Sequence, residues 1–307
     1  MALTGIHVVG SAKILDATAV DIPQVEGQAM NAGSNVIVES TAGQVYPTYS
    51  AIMNQAPRMN LTTGGLKALL DKVGLKGMVL ATGFEMYNQL VAAATGLRGT
   101  GSVQQKMAIA TGIIIPRSIN VSQNQVARLT FDVIGINAAG TTCPVVVSET
   151  VTLPVNTGVA ALWTMGPVKI NGTALAGVQS VNIDFGTKEF IIEGDGFVYP
   201  IYAGIEMVSP SITIKVKDSA AFAVCGMAGL AQTATDSVVF LRKLSNDGTR
   251  VADVTAEHIS FSIDQGLWIA PDKGGQHPST LDTTIKIQPT HDGTNDPLVL
   301  STATAIS

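Results

Sequence analysis

The chain is poor in charge, in aromatic side chains and in cysteine. Of its 307 residues only 13% are charged and 5% are aromatic. Ordinary soluble domains carry about 25% charged residues, so a solitary molecule of this composition would have a poorly solvated surface. Cys143 and Cys225 are too few to form a disulfide framework, which favours a reducing compartment. We therefore expect copies of the same chain to cover much of the surface.

The sequence also lacks the features of several protein classes. The net charge of −5 argues against binding of nucleic acid by neutralising phosphates. No apolar stretch reaches about 18 residues, so we expect no membrane-spanning helix and no membrane partner. The first twenty residues show no basic region before an apolar core, and we do not expect a signal peptide. Since 46% of the residues are hydrophobic, a packed core is expected, with about two domains by length.

No catalytic, metal or cofactor site is predicted. The cysteines lack the C-x-x-C spacing of a zinc site, and the histidines are dispersed. Glu193 and Asp195 lie two residues apart, but paired acid and base carboxylates need a pocket that separates their pKa values. A solvated turn is the simpler interpretation of that pair. We therefore expect no enzyme activity and no cofactor.

Comparison of the chain with itself reveals an internal repeat. Residues 43–57 (GQVYPTYSAIMNQAP) and 196–210 (GFVYPIYAGIEMVSP) agree at seven of fifteen positions, 153 residues apart. A second match, 112–116 with 266–271, has nearly the same offset, so an accidental match is disfavoured. The repeat predicts two copies of one module, residues 1–153 and 154–307. The repeat is anchored by Tyr46, Pro47 and Pro57 in the first copy and by Tyr199, Pro200 and Pro210 in the second.

The hydrophobic pattern predicts a mainly β protein. Apolar residues alternate with polar ones over 181–185, 212–216 and 259–263, which is typical of strands with one buried face. The spacing of Leu66, Leu69, Leu70 and Val73 predicts a helix that Thr63 could cap. A second helix, capped by Asp218 and containing Ala221, Phe222 and Cys225, is predicted at the corresponding place. Residues 84–94 are helical by composition and strand-like by position. We expect two tandem β-sandwich modules, each with a flanking α-helix.

Several stretches carry a resemblance to a known family. Residues 43–63, 178–200, 112–133 and 285–298 resemble the strands and turns of the tail tube (major tail) proteins of long-tailed bacteriophages. The resemblance implies β-sandwich tube modules whose inner sheets join into a barrel-lined ring of six modules around a channel as wide as DNA. A chain with two modules would then form a homotrimer, a pseudo-hexameric ring that stacks helically.

The resemblance also implies a function and partners. The chain would be a structural virion protein of the viral tail that conducts double-stranded DNA without binding it during genome ejection. Its partners would be the tape measure protein and the tail tip or terminator proteins. It would reside in the virion tail, and in the host cytoplasm during assembly. The open alternative is another self-assembling viral shell or decoration protein. A carbohydrate-binding or hydrolytic β-sandwich is disfavoured, because it needs an aromatic platform or a carboxylate pair in a groove.

Candidate functional residues follow from this resemblance. A channel for DNA should repel phosphate, and residues 154–307 carry fifteen acidic and nine basic residues against eight and nine in 1–153. Candidate carboxylates of the lumen or its rim, for which an outward-facing position is an equal alternative, are Asp184, Glu189, Glu193 and Asp195. The segment 95–105 is a candidate inter-ring loop, or else an ordinary mobile loop. Its central residues are Gly96, Leu97, Arg98, Gly99, Thr100 and Gly101.

Overall fold

The computed structural model describes residues 5–16, 18–93, 95–154, 161–217, 233–245, 247–274 and 282–307. It confirms a mainly β protein, because nearly every regular element in these ranges is a strand. We call residues 5–154 the N-terminal half and residues 161–307 the C-terminal half.

Strands dominate both halves. The N-terminal half contains α1 (Leu66–Val73) and the strands β1 (Gly5–Ile14), β2 (Val20–Ile22), β3 (Val25–Asn31), β4 (Ser34–Glu39), β5 (Tyr49–Gln55), β6 (Arg58–Thr63), β7 (Met78–Leu80), β8 (Phe84–Ala92), β9 (Gln104–Ile109), β10 (Gly112–Ser122), β11 (Arg128–Gly135) and β12 (Val145–Val151). The C-terminal half contains β13 (Leu162–Ile170), β14 (Thr173–Ala174), β15 (Val178–Asp184), β16 (Thr187–Ile192), β17 (Tyr202–Val208), β18 (Ser211–Val216), β19 (Thr233–Ala234), β20 (Ser237–Leu244), β21 (His258–Ile263), β22 (Gly266–Gly274), β23 (Asp282–Pro289) and β24 (Val299–Thr304).

The alternating segments form the strands that their pattern predicts. In β18, Ile212, Ile214 and Val216 are fully buried, while Lys215 between them is exposed. The alternating apolar residues of β15, β21 and β23 are buried as well, although in β21 His258 and Ser260 beside them are also buried. Because successive side chains of a strand point to opposite faces, one face of each strand supplies the core.

The predicted first helix is confirmed, with a different N-terminus. Leu66, Leu69, Leu70 and Val73 of α1 are all buried. The N-cap is Gly65, and no side chain caps the helix. Thr63 instead ends β6. Its hydroxyl donates to the carbonyl of Pro23 (2.6 Å) and accepts from the Gly65 N–H (2.9 Å), so it does not cap α1.

Two other helical interpretations have different outcomes. Residues 84–92 are strand β8, so the helical reading of this segment is wrong. The segment lies inside a sheet, because it pairs with β1 on one side and with β9 on the other. The predicted second helix, from Asp218 to Cys225, lies outside the described residues.

The strands of the two halves follow one another in the same order. Strands β3–β6 precede β15–β18 by 153 residues, and β9–β12 precede β21–β24 by 154. A five-stranded sheet of order β12-β9-β8-β1-β2 in the N-terminal half is matched by β24-β21-β20-β13-β14 in the C-terminal half. The hairpins β4–β5 and β16–β17 also match, as separate two-stranded sheets. We call strands at matching places counterparts.

A ten-stranded sheet spans both halves. Its order is β19-β22-β23-β18-β15-β10-β11-β6-β3, with β7 paired to β10 off this path. Each half contributes five strands in the same relative order, and the halves meet where β15 pairs with β10. The apolar faces of the sheets enclose one continuous core cluster with residues from both halves. The two halves therefore share a hydrophobic core.

Phe131 is a sensitive position in this core. It is fully buried and meets Phe84 edge to face, with ring centroids 6.1 Å apart. We expect Phe131→Ala to lower the free energy of unfolding by about 3–5 kcal/mol, since it removes packing and leaves a cavity. Val254→Ala, at a side chain that is 85% exposed, should change it by less than about 0.5 kcal/mol. Urea unfolding followed by circular dichroism measures both, and equal losses would contradict this assignment of the core.

Candidate functional site

The two halves join edge to edge through β10 and β15. The strands are antiparallel, with Ser118 opposite Asp184 and Ser122 opposite Ser180. The ladder continues past both ends: Phe185 N–H donates to the Arg117 carbonyl (2.9 Å) and Gln123 N–H to the Gln179 carbonyl (2.8 Å). The counterpart of β15 is β3, and that of β10 is β22. The junction therefore joins two different edges, which makes it a head-to-tail contact.

A hairpin of the C-terminal half reaches over this junction. We call residues 187–208, which contain β16 and β17, the second arm, and residues 34–55, which contain β4 and β5, the first arm. Ala203 and Ile191 of the second arm pack on Ile113, Ile115 and Ile134 of β10 and β11. Together with Ile136, these residues form an apolar cluster separate from the main core, so the arm seals the outer face of the N-terminal half.

Backbone hydrogen bonds fasten the turn of the second arm. The N–H of Asn137 donates to the carbonyl of Pro200 (2.8 Å), and the N–H of Tyr199 donates to the carbonyl of Gly140 (3.0 Å). From the first arm, the N–H of Gln55 donates to the carbonyl of Val198 (2.7 Å). Main-chain bonds of this kind fix the position of the arm independently of its side chains.

Four charged side chains form a compact cluster under the second arm. The Arg117 guanidinium contacts a carboxylate oxygen of Asp132 (2.7 Å) and one of Glu189 (2.9 Å). Arg58 bridges the same two carboxylates, at 3.3 Å from Asp132. Arg117 also donates to the carbonyl of Thr187 (2.7 Å). Two positive and two negative charges thus neutralise one another where the arm meets the sheet.

The pKa shifts of Glu189 and Arg117 in this cluster both favour the charged form. Burial alone would raise the pKa of Glu189, but hydrogen bonds from Arg117, the backbone and Arg58, together with the charge of Arg117, outweigh it, and the pKa is lowered. Burial alone would lower the pKa of Arg117, but Asp132 and Glu189 raise it above its ordinary value. Together with the contacts above, these shifts make the cluster an ion-pair network.

The four candidate lumen carboxylates lie in different surroundings. Glu189 is held by two arginines and is only 16% exposed. Glu193, which directly follows β16 at the start of the turn of the second arm, accepts a hydrogen bond from Asn54 of the first arm. Asp184 is exposed and accepts from the Gly186 N–H (2.9 Å), and Asp195 is exposed in the turn of the second arm. Asp184, Glu193 and Asp195 carry exposed negative charge, whereas that of Glu189 is neutralised.

The candidate loop folds back on strand β8. The N–H of Gly99 donates to the Leu90 carbonyl (2.7 Å), and Leu97 at the tip is 69% exposed. Gln104 holds the base: its buried side chain accepts from the Leu90 N–H (2.7 Å) and donates to the Gly99 carbonyl (2.8 Å). The role of Gln104 could not be predicted from the sequence, because a glutamine after a glycine-rich stretch fits an exposed position equally well.

The repeat anchors lie in two different environments. Pro57 and Pro210 are buried just before β6 and β18. Tyr46 and Pro47 are exposed at the turn of the first arm, whereas in the second arm Pro200 is buried and Tyr199 half-buried. Burial first, and then the neighbouring Cys143, raise the pKa of Tyr199. One motif therefore occurs once covered and once uncovered.

A search for other kinds of site adds no ligand position. Among the described residues, no group of three or more His, Cys, Asp or Glu side chains is placed to hold a metal ion. Nor does the described part of the chain contain a helix long and apolar enough to cross a membrane. No family model matches the chain, and a search of curated proteins finds no matching protein.

Glu189 offers a test of the ion-pair network. Because the folded-state pKa is lowered, the ionised carboxylate stabilises the fold above the ordinary value of 4.5, and this stability is lost as the pH falls through the folded-state pKa. We expect Glu189→Gln to lower the free energy of unfolding at pH 7 by about 1–3 kcal/mol and to flatten its decline below pH 4.5.

The matched control is Glu206→Gln on the same arm. Glu206 pairs with Lys188 at 2.9 Å, but both side chains are more than half exposed, so the cost should stay below about 0.5 kcal/mol. Urea unfolding from pH 3 to pH 7 measures both variants. Equal effects of the two substitutions would show that the cluster is no more than surface charge.

Proposed function

We propose that this chain is a structural protein of the tail tube of a long-tailed bacteriophage. In this proposal residues 1–153 and 154–307 are two β-sandwich tube modules, and three chains form a ring of six modules. The observation that carries the proposal is the junction of β10 with β15. It joins different edges, and a head-to-tail contact that repeats between molecules produces a ring when its rotation closes and a filament when it does not.

Exposed apolar residues support assembly with further copies. The first arm exposes Val36, Val38, Tyr46, Tyr49 and Ile52, each by more than half. Apolar side chains that cluster in this way on one element mark a surface that another protein covers. Together with the low overall charge, this favours a molecule that functions inside an assembly.

The proposed ring encloses a channel for double-stranded DNA. Joining the ten-stranded sheets of three chains into one barrel leaves no open sheet edge. The excess of acidic residues in the C-terminal half opposes attraction of phosphate. Asp184, Glu193 and Asp195 are the proposed carboxylates of the lumen or rim, while Glu189 stabilises the junction. The proposed partners are the tape measure, tail tip and terminator proteins of the virion.

Negative-stain microscopy of the purified protein tests this function. We expect hollow tubes whose top views show threefold symmetry and six similar lobes. Closed shells or isolated trimers without stacking would favour the alternative, a shell or decoration protein. A protein that stays monomeric at high concentration would contradict both.

The loop from Gly96 to Gly101 is proposed to contact the neighbouring ring. Its tip is exposed, and Gln104 holds its base against β8. We expect deletion of residues 96–101 to leave folded rings, as judged by circular dichroism and light scattering, that no longer stack into tubes in negative-stain images. If the deletion variant forms tubes of normal length, the loop is not required for contact between rings.

A further inference from the structure

Positions that are buried in the N-terminal half are exposed at their counterparts in the C-terminal half. Ile113 and Ile115 on β10 are 1% and 0% exposed because the second arm covers them. Their counterparts on β22, Leu267 and Ile269, are 47% and 44% exposed. The ladders fix this correspondence, since Ile115 lies opposite Asp132 on β11 and Ile269 lies opposite Lys286, the counterpart of Asp132, on β23. The C-terminal half thus presents the same surface without an arm.

The first arm presents the complementary surface. Ile191 of the second arm packs on β10, and its counterpart on the first arm is Val38, which is 55% exposed. The two hairpins share one register, with Val36 opposite Ile52 in the first arm and Glu189 opposite Ile205 in the second. Val36, Val38 and Ile52 therefore form an apolar face that corresponds to the docked face of the second arm.

The two outer edges of the ten-stranded sheet also match the internal junction. β3 pairs with β6 on one side and ends the sheet, whereas its counterpart β15 pairs with β18 and also with β10. The described part of β19 pairs with β22 at Gly266 and Leu267, as β7 pairs with β10 at residues 112–114. β10 pairs with β15 from Ser118 to Ser122, and the corresponding part of β22 begins at Asp272.

We propose that a second copy of this chain occupies both surfaces: the first arm of one chain docks on Leu267 and Ile269 of the next, and its β3 pairs with β22. The register follows from Ser118 opposite Asp184 and Asn120 opposite Asn182 at the internal junction. It places Asn31 of one chain opposite Asp272 of the next, and Ala29 opposite Gly274. This contact rests on the proposed assembly into rings and specifies which strands form it.

The contact between chains differs chemically from the one within the chain. The ion-pair network of Arg117, Asp132 and Glu189 has as its counterparts Pro271, Lys286 and Val36. No counterpart carboxylate is present to form the same network. The contact between chains is therefore dominated by apolar burial, and we expect ring formation to persist in 1 M salt, where surface charges are screened within about 3 Å.

An engineered disulfide tests the register. Hydrogen bonds of Phe185 with Arg117 and of Gln123 with Gln179 make Asn120 and Asn182 a non-hydrogen-bonded pair, because such pairs alternate along an antiparallel ladder. Cα atoms of these pairs lie about 4.5 Å apart, within disulfide range. Ala29 is exposed, and an added Cβ on Gly274 would meet no atom within 4 Å. The variant Ala29→Cys/Gly274→Cys should thus form disulfide-linked dimers and trimers on a non-reducing gel.

The matched control shifts one cysteine along the same strand. Asn31→Cys/Gly274→Cys places the sulfur atoms on a diagonal, with Cα atoms about 7–8 Å apart, and should link at least about tenfold less. The single variants Ala29→Cys and Gly274→Cys should form no trimer. Equal linking by the two double variants, or none by the first, would overturn the register.

Substitution of the apolar contact gives a second test. Ile269→Asp and Val38→Asp change side chains that are already exposed in the single chain, so both proteins should fold, with urea unfolding midpoints close to the original. Each should remain monomeric in size-exclusion chromatography under conditions where the original chain forms rings. Val254→Asp, at an 85% exposed residue between β20 and β21, should still form rings.

The results separate this contact from the proposed tube function. If the Ala29→Cys/Gly274→Cys variant forms rings without a disulfide between chains, and Ile269→Asp also forms rings, the contact is overturned. The proposed tube function would not be affected by that result. Covalent trimers that never stack into hollow tubes would support the contact and refute the tube function.

Discussion

The antiparallel ladder between β10 and β15 is the contact on which the rest of the molecule depends. It turns two sets of five strands into one sheet of ten, and it brings the second arm over Ile113 and Ile115. Its register is strictly constrained. A shift by one residue would turn Val181 and Ile183, both buried in the core, to the opposite face. The core and the junction therefore specify the same alignment.

The ion-pair network beside this ladder explains why the second arm docks within its own chain. Removing charges from water is costly, and a buried pair often stabilises no more than an apolar replacement would. The ion-pair network here distinguishes between the two arms that could dock on β10. An arm that carries Glu189 satisfies Arg58 and Arg117, whereas an arm that carries Val36 at the same place would leave both guanidinium groups without that carboxylate. Discrimination of this kind depends on penalising the wrong partner.

Local pattern was enough to predict the strands and α1, because alternation and helical spacing report directly on which face is buried. It was not enough for the segment starting at Phe84, whose composition favours a helix although its neighbours make it a strand. The role of Glu189 could not be predicted either. Its partners, Arg58 and Arg117, are 131 and 72 residues away in sequence, and only the pairing of β10 with β15 brings them together. Long-range strand pairing is the information that local pattern lacks.

The Tyr-Pro motif extends this argument to the assembly. At Tyr199 and Pro200 the motif is covered by the loop that contains Asn137 and Gly140, and at Tyr46 and Pro47 it is uncovered. The same contact is therefore made by the second arm within the chain and left unmade by the first arm. An open row of such chains would always end in an uncovered first arm and an unpaired β3 edge. Closure into a ring covers both at once, so in our proposal the free edges themselves favour the ring over the filament.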